Sequence, residues 1–90
     1  MYKIVTSNKF EKDLILCHRR GLSLDIAEKA VELFSKTGKL PSGYKSHKLS
    51  GTYSGYWECH LQNDWLLLWQ VDENEKIIAL VRTGTHSDLF

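Results

Sequence analysis

The sequence predicts an α+β domain in which a strand and a helical hairpin precede a mostly antiparallel twisted sheet. Three observations indicate this class: a short β-prone segment at the start, two amphipathic stretches with helix caps, and three apolar runs separated by turn-forming residues. Ninety residues leave room for one small core, so residues 1–90 are expected to form a single domain.

The first part of the chain predicts a strand and then a helix. "MYKIVT" is rich in residues with β propensity. In "SNKFEKDLILCHRRG", Phe10, Leu14 and Cys17 recur at helical spacing. Ser7 is a suitable cap for the start of this helix, and Gly21 is a suitable stop.

A second helix is predicted over "SLDIAEKAVELFSKTG", with Ser23 as its cap and Gly38 as its stop. Only Gly21 and Leu22 separate the two helices, so an antiparallel hairpin is expected. The second helix has a single apolar stripe, formed by Leu24, Ala27, Val31 and Phe34.

The remainder combines one long irregular stretch with three strands. The irregular stretch is "KLPSGYKSHKLSGTYSG", and loops of this length in small domains are often functional. "YWECHL" and "WLLLWQV" flank the turn-former cluster "QND", which indicates a hairpin. "WLLLWQV" is apolar on both faces and is expected to be a central strand. After the charged turn "DENEK", "IIALVR" predicts the last strand.

Composition narrows the class of protein. The charged fraction of 26% and the hydrophobic fraction of 42% are typical of a soluble globular chain. No apolar run approaches the roughly 20 residues of a membrane span, and the start does not resemble a signal peptide, so a cytoplasmic protein is expected. Cys17 and Cys59 are far apart and lack metal-ligand spacing; two reduced thiols are expected, with a structural disulfide as the alternative.

The net charge of +1 hides a strong asymmetry. Residues 1–50 contain ten basic and five acidic residues, whereas residues 51–90 contain two basic and six acidic residues. Residues 35–51, here called the basic loop, hold four lysines and a histidine but no acid. This patch is a candidate contact for a polyanion, and a solvated lysine-rich loop is the alternative.

Three histidines and an aspartate are the strongest candidates for chemistry: His47, His60, His86 and Asp64. They lie at strand ends or in loops, which can converge on one edge of a meander. Histidine has an unperturbed pKa near ~6.5 and therefore exchanges protons at neutral pH. Cleavage of RNA through its own 2′-hydroxyl needs a base, an acid and a cation for the crowded phosphorane.

Other residue types fit the remaining needs of such a site. Arg82 offers a planar fork that matches phosphate, and Lys45 of the basic loop is a second candidate for phosphate binding. Trp65 and Phe90 are candidates for stacking on bases.

Each candidate also has a structural alternative. His60 follows Glu58 at a strand end and can be an ordinary histidine bonded to a neighbour, whereas Asp64 can be a turn residue and Trp65 a core residue. Zinc binding is an alternative role for the three histidines and Asp64. No two of them have a short spacing such as H-x-H or H-x-x-x-H, so no metal site is expected.

Three segments resemble the YafQ branch of the RelE superfamily of bacterial toxins: "YKSHKL", "GYWECHLQNDWLLLWQV" and "LVRTGTHSDLF". They match, in order, the patterns Y-K-x-H, E/D-x-H-x-x-x-D-W and R-T-G-T/S-H-x-x-L-F. The resemblance implies the RelE-like microbial ribonuclease fold. It also implies mRNA cleavage in the ribosomal A site without a metal or other cofactor, and inhibition of translation.

The resemblance carries residues as well as a fold. The family's catalytic histidines and aspartate match His47, His60, Asp64 and His86, and Arg82 and Phe90 stand at its arginine and terminal phenylalanine. On this basis His86 is assigned as general acid, with His47, His60 or Asp64 as base. The implied partners are a cognate antitoxin, the ribosome and mRNA, with no membrane and no DNA binding by the toxin alone.

Two departures from the family pattern motivate an alternative function. Many relatives carry arginine where this chain has Trp57, which removes one positive charge near the presumed cleft, and the net charge is close to zero. Ribosome affinity, or its salt dependence, is then expected to be weaker than in the family. The alternative is a non-catalytic RNA- or ribosome-binding module that has lost turnover.

Overall fold

A five-stranded sheet with two helices on one face forms the body of the molecule. The computed structural model describes residues 1–90. The predicted order of elements is confirmed, with a short third helix added at the end. The elements are β1 (Lys3–Thr6), α1 (Asn8–Arg19), α2 (Leu24–Thr37), β2 (His47–Lys48), β3 (Trp57–Gln62), β4 (Trp65–Asp72), β5 (Ile77–Gly84) and α3 (His86–Leu89).

The strands lie in the order β1-β5-β4-β3-β2. β1 pairs parallel with β5, and all other pairs are antiparallel. β4 is therefore central, and residues 65–69 at its start are all buried. This confirms the expectation drawn from its continuous apolar run, since a strand covered on both faces has no need of alternation.

Both helices end as the sequence predicts, but only one begins with the predicted cap bond. The backbone N–H of Phe10 donates to Ser7 Oγ at 2.9 Å, so Ser7 caps α1. Gly38 ends α2 in the left-handed region with φ 76°, where glycine has no steric penalty. Ser23 stands at the predicted N-cap position of α2, but its side chain makes no cap bond.

The face of the sheet against which the helices pack is here called the helix face. Phe10 of α1 and Phe34 of α2 are buried there against the three central strands. Trp69 contacts Phe34 edge-on, with 4.8 Å between ring centroids. The sheet contributes Cys59, Leu67, Trp69, Ile78 and Leu80 to this core.

The opposite face carries a smaller cluster of Leu66, Leu68 and Leu89. Leu89 belongs to α3, and Tyr53 and Val81 pack beside it. This face is here called the histidine face because Glu58 and His60 alternate with the core residue Cys59 along β3. The last helix is therefore anchored by a buried leucine.

The basic loop is more ordered than an irregular stretch. It contains a 3₁₀ turn at Ser42–Tyr44 and the two-residue strand β2, and a second 3₁₀ turn follows at Gly51–Tyr53. β2 lies at the sheet edge, where His47 pairs with Glu58 and Lys48 with Trp57. Adjacent residues of a strand point to opposite faces, so His47 joins the histidine face and Lys48 the helix face.

The two cysteines are free and buried, as expected. Cys17 packs with Ala27 and Trp65, whereas Cys59 lies in the main core. Burial raises the pKa of the Cys59 thiol to about 12, and it also raises that of Cys17. Neither thiol is therefore a candidate nucleophile at neutral pH.

Candidate active site

His86 and Asp64 form the tightest contact on the histidine face. Asp64 Oδ1 lies 2.8 Å from His86 Nδ1 and accepts the backbone N–H of the same residue at 3.1 Å. These hydrogen bonds from His86 lower the pKa of Asp64. A carboxylate at Nδ1 favours the tautomer with the proton on that nitrogen, which leaves Nε2 free for a substrate.

The short helix α3 fixes the position of His86. Thr85 caps it, because its side chain accepts the N–H of Asp88 at 3.2 Å and its N–H donates to Asp88 Oδ2 at 2.9 Å. Arg20, at the end of α1, donates two hydrogen bonds to the same carboxylate, one of them at 3.1 Å. Arg20 and the Thr85 backbone hold the pKa of Asp88 well below its usual range. The hydrogen bonds of Arg20 and Thr85 with Asp88 thus hold the helical turn that carries His86.

His60 lies beside His86 at the end of β3. The two imidazole centroids are 6.2 Å apart with a tilt of 54°. His60 Nδ1 faces the carbonyl of Asn63 at 3.4 Å, a long contact that favours a proton on Nδ1. The second ring nitrogen of His60 has no protein partner within hydrogen-bond distance.

His47 approaches from the sheet edge and is held by two oxygens. Its Nδ1 lies 3.1 Å from the carbonyl of Lys45, and its Nε2 lies 3.4 Å from Glu58 Oε1. Only the imidazolium form donates to both acceptors. Glu58 is 6% exposed, so the pair places a buried negative charge beside a half-exposed ring.

Phe90 completes the group from the far side of α3. Its ring is 54% exposed and lies 6.4 Å from the His86 ring and 5.0 Å, edge-on, from Tyr53. The hydroxyl of Tyr53 donates to the carbonyl of Leu89 at 3.0 Å, which ties the segment to the loop. An exposed aromatic face next to an imidazole is suited to a base, and stacking by Phe90 stays a prediction.

The structure thus brings His60, Asp64, His86 and Phe90 into one group and sets His47 beside it through Glu58. His47, His60, Asp64 and His86 are here called the histidine cluster. Lys45 contributes its carbonyl to His47 from a left-handed backbone with φ 55°, and its ammonium group is exposed. Phosphate binding by Lys45 stays a prediction.

The prediction for Trp65 as a stacking residue is wrong. The side chain is 1% exposed and packs with Cys17 and Ala27 on the helix face. Its Nε1–H donates to Thr83 Oγ1 at 2.8 Å, and that hydroxyl donates to the Leu66 carbonyl at 2.7 Å. Trp65 is a core residue, which was the alternative interpretation of its position.

The prediction for Arg82 also needs correction. Its guanidinium donates Nε–H to Asp13 Oδ2 at 2.6 Å and Nη2–H to Oδ1 at 3.2 Å. The Thr83 backbone N–H donates to the same carboxylate. This bidentate pair raises the pKa of Arg82 and fastens β5 to α1. Arg82 therefore serves the fold and is not a free cation for phosphate.

Trp57 does not lie near the histidines, where its departure from the family pattern was expected to matter. It packs against the core on the helix face, whereas Glu58 and His60 lie on the histidine face. Its ring is 6.2 Å from that of Trp69, with 13° between the ring planes. A charge at this position would therefore lie on the other face from the histidines.

Two residues that contact the candidate site were not among the candidates drawn from the sequence. Glu58 was treated only as a neighbour of His60, although a buried acid in a strand without an obvious partner is itself a signal. Asp88 lies three residues after Thr85, and this capping-box spacing is visible in "THSD". No three His, Cys, Asp or Glu side chains are grouped so that they could hold a metal ion.

A comparison with protein families decides which class of protein this geometry belongs to. A family model that describes the YafQ bacterial toxin of type II toxin–antitoxin systems matches residues 2–90. The chain belongs to the YafQ toxin family. The resemblance drawn from three short segments is thereby confirmed over nearly the whole chain.

Relatives of the YafQ family support the same assignment. The "mRNA interferase toxin YafQ" of Escherichia coli K12, an endoribonuclease by its name, is 33% identical over 85 residues, covering 93% of this chain and 90% of the relative. The E. coli DinJ–YafQ complex matches with a TM-score of 0.86 at 32% identity, over 100% and 99% of the chains. A metal-bound toxin from Helicobacter pylori matches with a TM-score of 0.89 at 40% identity over both entire chains. The α+β fold is thus confirmed.

None of the helices of this chain is both long and apolar enough to cross a bilayer.

Proposed function

We propose that this protein is an mRNA interferase that cleaves mRNA in the ribosomal A site and thereby inhibits translation. Membership of the YafQ family and the name of the E. coli relative support the class of activity. The observation that carries the proposal for this chain is the contact of 2.8 Å between His86 and Asp64, with the His60 ring 6.2 Å away.

The reaction needs no group beyond the RNA and the histidine cluster. His60 accepts the proton of the 2′-hydroxyl, and the 2′-oxygen attacks the adjacent phosphorus. The bond from phosphorus to the 5′-oxygen breaks, and His86, protonated and held by Asp64, gives its proton to that leaving oxygen. Each proton transfer of this kind contributes roughly 10²–10⁴ to the rate.

His47 supplies the positive charge for the transition state in place of Arg82. Its Nδ1 faces the Lys45 carbonyl and its Nε2 faces the Glu58 carboxylate, an environment of two oxygens that suits a positively charged ring at the edge of the cluster. A fixed cation beside a phosphorane lowers the barrier without reorganisation. Phe90 stacks on a base of the cleaved codon.

The proposal also includes an antitoxin partner and a cellular location. A cognate antitoxin would bind this toxin, as DinJ is in complex with YafQ in the E. coli structure. An acidic segment that covers the histidines would match the exposed cationic groups. Because the substrate is translated mRNA, the proposed place of action is the bacterial cytoplasm.

The test is mRNA cleavage in a purified translation system with and without ribosomes. We expect cleavage only with ribosomes. We also expect it to persist with 1,10-phenanthroline, which chelates transition metals and leaves the Mg²⁺ that ribosomes need, since the proposed steps use side chains alone. Loss of cleavage under these conditions would replace this mechanism with one that depends on a transition metal, a relevant outcome because the H. pylori relative was solved with bound metal.

The non-catalytic module makes a different prediction in the same system. If translation stops while the mRNA stays intact, and a variant lacking both His47 and His86 still stops it, the protein acts by binding. Rapid cutting of naked RNA would instead indicate a ribosome-independent ribonuclease.

A further inference from the structure

The helix face contains a second candidate binding site, on the opposite side of the sheet from the histidines. A cavity of about 460 Å³ opens where the end of α2 meets β2, β3 and β4. This volume lies within the range of pockets that bind small ligands, roughly 300–1,000 Å³. Its walls combine aromatic and charged side chains, among them Trp57, Trp69, Lys39, Lys48, Ser46 and Glu73.

Two parallel indoles form the aromatic side of this cavity. Trp69 is 3% exposed, whereas Trp57 is half-buried and reaches the opening. Lys48 Nζ lies 5.5 Å from the centroid of the Trp57 ring, within the range of a cation–π contact. The Lys48 ammonium thus lies over the Trp57 ring, so a base that stacks on this indole takes the place of the ammonium.

The charge balance of the cavity favours an anion. Neither Lys39 nor Lys48 takes part in a salt bridge. The one acid in the wall, Glu73, already accepts the Tyr2 hydroxyl at 2.6 Å and faces Lys76 at 3.5 Å. Both lysines come from the basic loop, which contains no acid at all.

We propose that this cavity binds one nucleotide of a single-stranded RNA, with its base stacked on Trp57 and its phosphate at Lys48 and Lys39. Indole and lysine together match a planar base and an anion, a combination that recurs in single-strand binding. Binding requires none of the histidines, and the choice of RNA as the occupant rests on the proposed function.

The position of the cavity relates it to the histidine cluster. Lys48 and His47 are the two residues of β2, and they point to opposite faces. Consecutive Cα atoms are ~3.8 Å apart, so an RNA strand leaving the cavity needs only to round the narrow edge at β2 to reach His47. The cavity is therefore placed to hold a nucleotide that flanks the one being cleaved.

The experiment is a binding titration with a short 2′-O-methyl RNA, which cannot be cleaved through its 2′-oxygen. Tryptophan fluorescence reports on the cavity because Trp65 and Trp69 are buried and Trp57 alone is partly exposed. We expect quenching on binding by wild type, and weaker quenching by the free nucleotide monophosphate. A mononucleotide that binds as tightly as the oligonucleotide would overturn the assignment to an RNA strand.

Two variants test the two halves of the site. Trp57→Leu and Trp57→Phe lack the fluorescent reporter, so their binding is followed by the anisotropy of a labelled RNA. Trp57→Leu is expected to weaken RNA binding about fivefold or more, the lower bound of base stacking, and Trp57→Phe to restore part of it. Lys48→Gln is expected to reduce the slope of log affinity against log salt by about 0.7, the loss of one phosphate contact. Lys9→Gln, on exposed α1, is the charge-matched control and should leave affinity and quenching unchanged.

The outcomes separate this proposal from the proposed cleavage. Thermal unfolding of Trp57→Leu identifies a folding defect, and the Lys48→Gln slope then decides alone. Unchanged RNA affinity and slope, with cleavage intact, overturn only the cavity proposal. The cavity proposal is also overturned if an acidic peptide quenches the fluorescence of Trp57 while RNA does not. Affinity that depends on Trp57 in a protein without ribosome-dependent cleavage would support the cavity and contradict the cleavage.

Discussion

Two histidines of the cluster each face a carboxylate, but the two pairs lie in different surroundings. In the pair of His86 and Asp64, the side chains are 58% and 61% exposed and their atoms approach to 2.8 Å. In the pair of His47 and Glu58, the histidine is 52% exposed, the acid only 7%, and the separation is 3.4 Å.

The difference in exposure indicates that the two pairs have different roles. Water screens the first pair, so its contribution to stability is small and its value lies in the orientation and tautomer of His86. Glu58 has lost most of its hydration, and a buried charge depends strongly on its remaining partner. The exposed pair is thus open to proton exchange with a substrate, whereas the half-buried pair sets a carboxylate where it favours a positive charge on His47. The predictions below test this contrast, from the largest expected effect to the smallest.

Removing the imidazole of the exposed pair should have the largest effect on cleavage. His86→Ala is expected to lower the rate of mRNA cleavage in the translation system by roughly 10²–10⁴, because the leaving oxygen then lacks its proton donor. His18→Ala, an exposed histidine at the end of α1, serves as the control and should cleave at the wild-type rate. Undiminished cleavage by His86→Ala would contradict the assigned role.

Neutralising the acid of the same pair should lower the cleavage rate by a smaller factor. Asp64→Asn retains an acceptor but loses the charge, and a hydrogen bond to a charged group is worth about 1.5–3 kcal/mol. The expected loss is therefore about 10- to 100-fold in single-turnover cleavage. If Asp64 acts only through His86, the double variant should be no slower than His86→Ala, and additive losses would refute the coupling.

Changing the acid of the half-buried pair should affect cleavage by about tenfold, the lower part of the same range. Glu58→Gln preserves the volume of the side chain but removes the carboxylate charge that faces His47 and would stabilise a positive charge on its ring. Glu75→Gln, in the exposed turn before β5, is the control. Full cleavage by Glu58→Gln at neutral pH would show that His47 needs no fixed charge.

Asp88, whose hydrogen bonds hold α3 in place, should affect mainly the free energy of unfolding. The pKa of Asp88 is lowered in the folded protein, so its contribution is present above the unfolded pKa of ~3.9 and is lost as the pH falls through the folded value. Asp88→Asn is expected to cost about 1 kcal/mol at pH 7, from a cap and a partly exposed ion pair. Thermal unfolding should show this loss shrinking below about pH 4. Glu28→Gln, exposed on α2, should show no such loss.

The sequence predicts those parts of the molecule that depend on local pattern. The caps at Ser7 and Gly38 and the central strand β4 follow from short-range signals. None of these inferences required knowledge of which distant segments meet. The short motifs also named the histidines and the aspartate of the candidate site, whose catalytic roles stay a prediction.

The errors arise where two distant segments decide the outcome. Arg82 looks like a free cation until Asp13, 69 residues away, occupies its fork. The register between β3 and β4 shifts at residues 60–62, and Trp65 packs beside Cys17 of α1. A one-residue shift in pairing reverses the face of a side chain, and the sequence does not specify it. The difference at Ser23 is local, since a favourable cap residue did not form its bond.

The two-residue strand β2 gives the molecule an unusual sensitivity to the length of its basic loop. His47 and Lys48 are assigned to opposite faces only by their pairing with Glu58 and Trp57. If the loop before β2 were one residue longer or shorter and the pairing slipped accordingly, imidazole and ammonium would exchange faces. A single insertion or deletion there would alter the histidine cluster and the tryptophan cavity together, although no side chain of either had been mutated.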